Sequence, residues 1–305
     1  MLSMLPLPEV PANQRDTCEL THRYEDLTQD GRMKLAALTY GLGEIVWNRL
    51  MRAHPAGRAM TEQGVLPILT RMAIEGYGGP FGLSRPFVAS GGFQLGHATR
   101  EDGSIERLLF NAWTELRAPN SHAMAPPPPL DAPHVNVGRV YAELTFTRLF
   151  APAAERKVTR LDLPGLPVVP PDRLPWTPPL SLLALPEGAT ALEPGFAPDS
   201  APTVFGLCHT DVNHHVSSVV YMQLFEEAAL RRFASLGEST ALLARILDIG
   251  YRKPCFAGET VRFVLRAFRL GERLGAVGAV VTEQEAGAPI EEARPRACLR
   301  MVFER

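Results

Sequence analysis

The sequence predicts an α+β fold made of two similar halves, each an antiparallel sheet wrapped around one long helix. Three observations support this prediction. One strand, one long helix and four further strands follow each other twice along the 305 residues. Short sequence matches recur in the same order in both halves. Each predicted helix carries an apolar stripe, and burying that stripe requires a sheet beside it.

The N-terminal half contains these elements in order. CELTHRYEDL (18–27) is predicted to be a strand, and GRMKLAALTYGLGEIVWNRLMRAH (31–54) is predicted to be a helix with one apolar face. Runs rich in β-branched and aromatic residues then predict four more strands. These strands cover residues 65–77, 86–98, 106–116 and 139–150.

The C-terminal half repeats the order. TVFGLCHT (203–210) is predicted to be a strand and residues 216–237 a helix. The apolar face of this helix is formed by Val219, Met222, Phe225, Ala229 and Phe233. Four further strands are predicted over residues 242–251, 259–268, 273–283 and 294–303.

Short matches between the halves keep the same order along the chain. They pair GYGGP (76–80) with GYRKP (250–254), FQLG (93–96) with FRLG (268–271), and WTE (113–115) with VTE (281–283). A shared order of this kind indicates an internal duplication.

Two proline-rich tracts interrupt the pattern. Residues 121–138 are predicted to be irregular, because successive prolines remove hydrogen-bond donors. Residues 162–188 also contain Leu, Val and Trp, which predicts a partly ordered connector. The predicted boundaries are therefore an N-terminal domain over residues 15–150, a connector over residues 151–202 and a C-terminal domain over residues 203–305.

Composition limits the partners and the cellular compartment that are expected for this protein. The chain is 46% hydrophobic and has a formal net charge of −2, so no nucleic-acid partner is expected. The four cysteines lie far apart and form no CxxC pair, which favours a reducing cytoplasm over a disulfide scaffold. The N-terminus lacks the basic start of a signal peptide, and no apolar run is long enough to span a bilayer. The sequence predicts a cytoplasmic protein.

The stretch HTDVNHHV (209–216) carries the densest polar chemistry. If it is extended, His209, Asp211, Asn213 and His215 share one face, whereas His214 points away. An extended chain would separate His209 from His215 by about 20 Å, which is too far for one ion to bridge. We therefore expect no metal, although a metal site built from these histidines and Asp211 is an alternative. No organic cofactor is expected either.

Two C-terminal motifs resemble those of the hotdog-fold thioesterases. TDVNHHVSSVVYMQLFEEA (210–228) and YRKPCFAGETV (251–261) are similar to motifs of the 4-hydroxybenzoyl-CoA thioesterase group. The order Asp-x-Asn-x-His also resembles that of the acyl-ACP thioesterases, which carry two hotdog units with the catalytic motif in the second. The resemblance implies two tandem hotdog domains and hydrolysis of an acyl thioester on CoA or on an acyl carrier protein.

The resemblance also implies roles for residues of the motif. Asp211 would be the nucleophile or general base, Asn213 would orient the thioester or the water, and His215 would hold Asp211 or transfer a proton. Backbone N–H groups at Val216, Ser217 and Ser218 would bind the oxyanion. Residues expected to support the site are Glu226, Glu227 and Tyr251.

The chain departs from the acyl-ACP pattern at two places. Pro254 stands before Cys255 where those enzymes place a glutamate. In the N-terminal half, aligning TQDGRM with DVNHHV puts Thr28 at the Asp211 position and Arg32 at the His215 position, although Asp30 matches Asn213. The N-terminal half is therefore expected to be non-catalytic.

Other functions remain open at this point. A hotdog dehydratase or a cyclase of fatty-acid or polyketide metabolism would use the same helix end, but a dehydratase favours a His/Asp pair shared by two units. A non-catalytic acyl-binding hotdog has no need of the complete Asp-Asn-His set. The protein is expected to be a monomeric double hotdog or a homodimer.

Overall fold

The computed structural model describes residues 7–290 and 292–305. The chain forms two units. The N-terminal unit ends at Trp176, and the C-terminal unit begins at Thr177. Neither unit contains, among the described residues, a helix that is long and apolar enough to cross a membrane.

The N-terminal unit contains five antiparallel strands. They are β1 (Arg15–Leu20), β2 (Val65–Gly76), β3 (Phe87–Thr99), β4 (Ile105–Pro119) and β5 (His134–Arg148), in the order β1-β3-β4-β5-β2. The strands predicted over 65–77, 86–98 and 106–116 are confirmed. The strand predicted over 18–27 is wrong beyond Leu20, where β1 ends, because Tyr24–Asp26 forms a 3₁₀ turn. Strand β5 begins inside the segment expected to be irregular. The prolines of that segment end at Pro133, so the residues after it have amide donors for the ladder.

The predicted N-terminal helix is wound differently from the expectation. Helix α1 (Leu35–Leu38) leads into a π-helical segment (Leu42–Met51), and a separate helix α2 (Pro55–Gln63) follows. An apolar pattern cannot distinguish hydrogen bonds to the fourth preceding residue from bonds to the fifth. His54 ends the first helical region because Pro55 lacks an amide hydrogen and starts a new helix.

Aromatic side chains fill the space between this helical region and the sheet. The Phe93 and Phe110 rings stack with centroids 4.8 Å apart, and Trp47 stacks on Phe110 at 5.4 Å. Phe146 meets Phe110 edge-on at 6.2 Å. These contacts fix the helical region against β3, β4 and β5.

The C-terminal unit contains one long helix and further antiparallel strands. Its elements are β6 (Thr190–Ala191), β7 (Ala197–Pro198), β8 (Thr203–Val204), α3 (Ser218–Ser235), β9 (Leu243–Tyr251), β10 (Thr260–Leu270), β11 (Arg273–Thr282) and β12 (Ala297–Glu304). The long strands run in the order β9-β12-β11-β10, and the three short strands pair with β10. Residues 190–191 and 197–198, which were expected to belong to a partly ordered connector, thus contribute strands.

Helix α3 lies on this sheet through its predicted apolar face. Phe225 packs on Phe263 at 5.9 Å, and Phe233 meets Phe303 edge-on at 5.2 Å. Four of the five predicted stripe residues are buried, whereas Val219 at the first turn is half-buried. This packing sets the position of the helix start, which borders the HTDVNHHV motif.

Candidate active site

The HTDVNHHV motif forms a tight hairpin rather than an extended strand. Thr210 and Val216 pair as antiparallel neighbours. Between them, the Asp211 amide donates to the His215 carbonyl oxygen at 3.1 Å, and the His214 amide donates to the Asp211 carbonyl oxygen at 3.0 Å. The prediction of an extended motif was therefore wrong. The predicted strand over 203–210 is also shorter than expected, because it ends at Val204.

Local hydrogen bonds of the polar side chains explain the turn. The Asp211 Oδ1 atom accepts from the Asn213 amide at 2.8 Å, which closes a turn of the kind that aspartate favours. His214 has a φ of 62°, the left-handed conformation that such a three-residue loop requires at this position. The hairpin consequently brings Asp211 and His215 opposite each other.

His209 has a structural contact ahead of the hairpin. It ends a short 3₁₀ turn (Leu207–His209), and its Nδ1 atom accepts from the Gly206 amide at 3.1 Å. Its carbonyl oxygen accepts from the Ser217 amide at 2.9 Å. His209 therefore fixes the two ends of the loop.

The three predicted catalytic side chains all lie on this one hairpin. Among the described residues, no hydrogen bond or ion pair joins the side chains of Asp211 and His215, and Asn213 is exposed. The His215 Nδ1 atom lies 3.2 Å from the Val216 carbonyl oxygen. No hydrogen bond from a described residue reaches Oδ2 of Asp211, so this oxygen is available to a substrate or water.

The hairpin leads directly into the start of α3. The Val216 amide donates to the Cys255 carbonyl oxygen at 2.8 Å, and the Ser217 amide is used by His209. Two of the three amides predicted to bind an oxyanion are therefore occupied. The amides of Ser218 and Val219 have no acceptor among the described residues, and the Ser217 side chain does not cap the helix.

These two amides carry the positive end of the helix. The first-turn N–H groups of an α-helix lack partners within the helix and attract negative charge. The first turn of α3 contains no acidic residue. The arrangement can therefore bind a developing negative charge within a few residues of Asp211.

The residues expected to support the site behave differently from one another. The Tyr251 hydroxyl donates to the Ser218 carbonyl oxygen at 3.3 Å, and burial raises the pKa of Tyr251, so the hydroxyl keeps its proton. Glu227 is exposed and pairs with Arg231 at 3.6 Å on the outer helix face. Glu226 is half-buried one residue earlier.

Sequence reasoning missed the role of the Cys255 peptide. Its amide donates to the Tyr221 hydroxyl at 3.0 Å, while its carbonyl oxygen holds Val216. Burial raises the pKa of the Cys255 thiol to about 11, so the side chain stays protonated at neutral pH. Nothing in the sequence signals that Cys255 pairs with Tyr221, because the two residues lie 34 positions apart.

The folded hairpin removes the distance argument against a metal, since that argument assumed an extended chain. In the part of the chain that the structure describes, no three His, Cys, Asp or Glu side chains form a group that could hold a metal ion. Zinc sites need three or four converging ligands.

The N-terminal unit contains the same hairpin with other side chains. The Thr28 amide donates to the Arg32 carbonyl oxygen at 2.8 Å, and the Gly31 amide donates to the Thr28 carbonyl oxygen at 2.9 Å. Gly31 has a φ of 79°, as His214 does at 62°. The Lys34 amide donates to Asp26 at 2.9 Å, which matches the bond from Ser217 to His209. This pattern agrees with the alignment of TQDGRM with DVNHHV.

Comparisons with known proteins agree with the hotdog resemblance. Residues 213–289 match the family model of the thioesterase superfamily, and the resemblance is confirmed. The match begins at Asn213, two residues after Asp211. No curated protein matches the sequence.

Two solved structures are similar over nearly the whole chain. An acyl-ACP thioesterase from Bacteroides thetaiotaomicron superposes with a TM-score of 0.56 at 13% identity, covering 96% of this chain and 98% of that chain. The 12:0-ACP thioesterase from Umbellularia californica gives a TM-score of 0.55 at 11% identity, with coverages of 95% and 94%. At these identities the likeness concerns the fold, which is that of the hotdog thioesterases.

Proposed function

We propose that this protein hydrolyses an acyl thioester, carried on CoA or on an acyl carrier protein, at the Asp211 hairpin. One observation carries the proposal. The Asp211 carboxylate lies on a tight hairpin that runs directly into the uncapped start of α3, at the edge of a segment that matches the thioesterase superfamily. A carboxylate and oxyanion donors are the groups that thioester hydrolysis requires.

The chemistry follows from this placement. Asp211 attacks the thioester carbonyl through Oδ2 or removes a proton from the water that attacks it. The carbonyl oxygen gains negative charge, which the amides of Ser218 and Val219 stabilise. The C–S bond then breaks, and the sulfur leaves as a thiol after receiving a proton, with His215 as the donor. If Asp211 is the nucleophile, the acyl group remains on Asp211 as an anhydride, which water then hydrolyses to the free acid and the Asp211 carboxylate. If Asp211 is the base, the attacking water supplies the oxygen of the free acid directly, and in both cases Asn213 orients the thioester.

The proposed organisation has two tandem hotdog domains and one active site. Residues 15–150 form the non-catalytic domain, because Thr28 and Arg32 replace the carboxylate and imidazole of the catalytic hairpin. Residues 203–305 form the catalytic domain, with residues 151–202 between them. The repeated hairpin in both units supports this division.

The oligomeric state, the cofactor requirement and the location of the enzyme are also part of the proposal. The protein acts as a monomeric double hotdog or a homodimer, without nucleic acid and without an organic cofactor or metal. A cytoplasmic location is supported by the four free cysteines, two of which are buried as thiols.

A substrate panel tests this function. The purified protein is incubated with acyl-CoAs and acyl carrier proteins of several chain lengths, and the released thiol is measured with and without EDTA. We expect thiol release from at least one substrate, and we expect it to survive the chelator. Absence of turnover on every acyl thioester would remove the proposed function, and EDTA-sensitive turnover restored by zinc would replace the carboxylate mechanism with a metal one.

A further inference from the structure

The backbone of Cys255 lies between the catalytic hairpin and helix α3 and is hydrogen-bonded to both. On one side its carbonyl oxygen accepts from the Val216 amide at 2.8 Å, and on the other side its amide donates to the Tyr221 hydroxyl at 3.0 Å. All three residues are at most 3% exposed. Water therefore has little access to either hydrogen bond, and the donor and the acceptor of each bond have no water to replace their partner.

The Tyr221 hydroxyl is the acceptor that keeps this peptide in place. A buried amide without a partner costs about 1–3 kcal/mol, so the backbone at Cys255 would shift if the hydroxyl were absent. A shift of the Cys255 carbonyl oxygen moves Val216, which lies two residues before the first free helix amide at Ser218. Donors of this kind act only when they are accurately aimed at the developing charge.

The N-terminal unit provides an internal comparison. Its hairpin has the same backbone hydrogen bonds, but the residue that corresponds to Tyr221 is Leu38, which is fully buried and has no hydroxyl. There the hairpin is tied by the Phe81 amide, which donates to the Gly31 carbonyl oxygen at 2.8 Å. The hairpin backbone therefore forms without a tyrosine. Of the two described hairpins, only the one that carries Asp211 has a tyrosine hydroxyl beneath it.

We propose that Tyr221 is a positioning residue for thioester hydrolysis, acting through the Cys255 peptide on the hairpin and on the amides of Ser218 and Val219. This inference rests on the proposed function of the same site. Tyr221 is buried beneath the hairpin, between the rings of Phe205 at 6.0 Å and Tyr251 at 5.9 Å, so its role is indirect.

The variant Tyr221→Phe tests this role because it keeps the ring and removes the hydroxyl. We expect kcat per folded molecule to fall about 10-fold or more, while KM stays within about twofold, because the lost interaction acts in the transition state. Tyr141→Phe is the matched control. Tyr141 is also buried, in the N-terminal unit, and its hydroxyl has no hydrogen-bond partner among the described residues. We expect its kcat and KM to equal those of the wild type.

A second measurement does not depend on activity. Amide hydrogen exchange should become faster at Val216 and Cys255 in Tyr221→Phe and stay unchanged in Tyr141→Phe. A wild-type kcat per folded molecule in Tyr221→Phe would overturn the positioning role. The role would also be overturned if total activity fell only in proportion to the amount of folded protein. If the wild type shows no turnover, the proposed function has failed, whereas unchanged exchange at Val216 would show that the Tyr221 hydroxyl does not hold the hairpin.

Discussion

The amide of Asp211 donates to the carbonyl oxygen of His215 at 3.1 Å, across a turn of three residues. This bond places the proposed base and the proposed proton donor opposite each other on one small hairpin. Among the described residues no hydrogen bond or ion pair joins the two side chains, so the hairpin backbone sets their spacing. A change in the turn should therefore alter both groups together.

The first prediction concerns the left-handed residue of the turn. His214→Gly should keep the hairpin and leave the free energy of unfolding within about 1 kcal/mol of the wild type, because glycine adopts a positive φ without steric cost. Gly31→Ala in the N-terminal unit makes the opposite change, because it replaces glycine at a positive φ by a residue with a Cβ. Its added Cβ would lie 2.8 Å from Cβ of Pro80, so we expect a loss above about 1 kcal/mol. Urea unfolding of both variants tests this difference, and equal losses would contradict it.

The second prediction concerns a buried ion pair in the C-terminal unit. Arg231 donates hydrogen bonds from Nε and Nη2 to Asp199, whose side chain is 3% exposed, and it also pairs with the 63% exposed Glu227. Asp199→Ala should lower the free energy of unfolding by about 2 kcal/mol or more, because it leaves the guanidinium without its buried partner. Glu227→Ala removes a partner of the same arginine at the surface and should cost less than about 0.5 kcal/mol. Similar losses in the two variants would show that burial does not decide the strength of the pair.

The third prediction concerns stability in mild acid. His22 is buried in the N-terminal unit, and neither ring nitrogen has a hydrogen-bond partner among the described residues. Burial lowers the pKa of His22 despite the Asp26 carboxylate at 3.6 Å. The folded state then binds fewer protons than the unfolded state. Stability from this group is present above the ordinary histidine pKa of 6.5 and is lost as the pH falls below that value toward the lowered folded pKa.

His22→Phe isolates this effect, because Phe205 is the buried residue at the same position of the other hairpin. The variant should lose less stability than the wild type between about pH 6.5 and pH 5. Chemical unfolding at several pH values measures the two slopes. Parallel slopes would mean that His22 does not titrate differently in the folded state.

The fourth prediction concerns thiol reactivity. Cys208 is exposed, whereas burial raises the pKa of the Cys298 thiol to about 12 and that of Cys255 to about 11. A thiol reagent at pH 8 should label Cys208 quickly in the folded protein and label the two buried thiols only after unfolding. Cys208→Ser should remove the fast phase. A fast phase that remains and maps to Cys255 would indicate that its pocket opens.

The strands and the long helix of the C-terminal unit could be predicted from sequence because their apolar patterns extend over many residues. The hairpin could not, since the Asp211 side chain makes a local bond to the Asn213 amide that overrides an alternating pattern. The occupied amide of Val216 was also hidden, because its acceptor at Cys255 is far along the chain. The π-helical winding of Leu42–Met51 leaves no separate signal in apolar spacing.

The most direct test of the central claim compares Asp211→Asn with Asp30→Asn on a substrate that the panel identifies. Asp30 lies on the corresponding hairpin of the N-terminal unit, where it pairs with Arg32 at 2.8 Å. We expect Asp211→Asn to lower kcat at least about 100-fold while the protein stays folded, because the amide is neither a base nor a nucleophile. Asp30→Asn should keep the wild-type kcat. Full turnover in Asp211→Asn, or an equal loss in Asp30→Asn, would contradict the assignment of the active site.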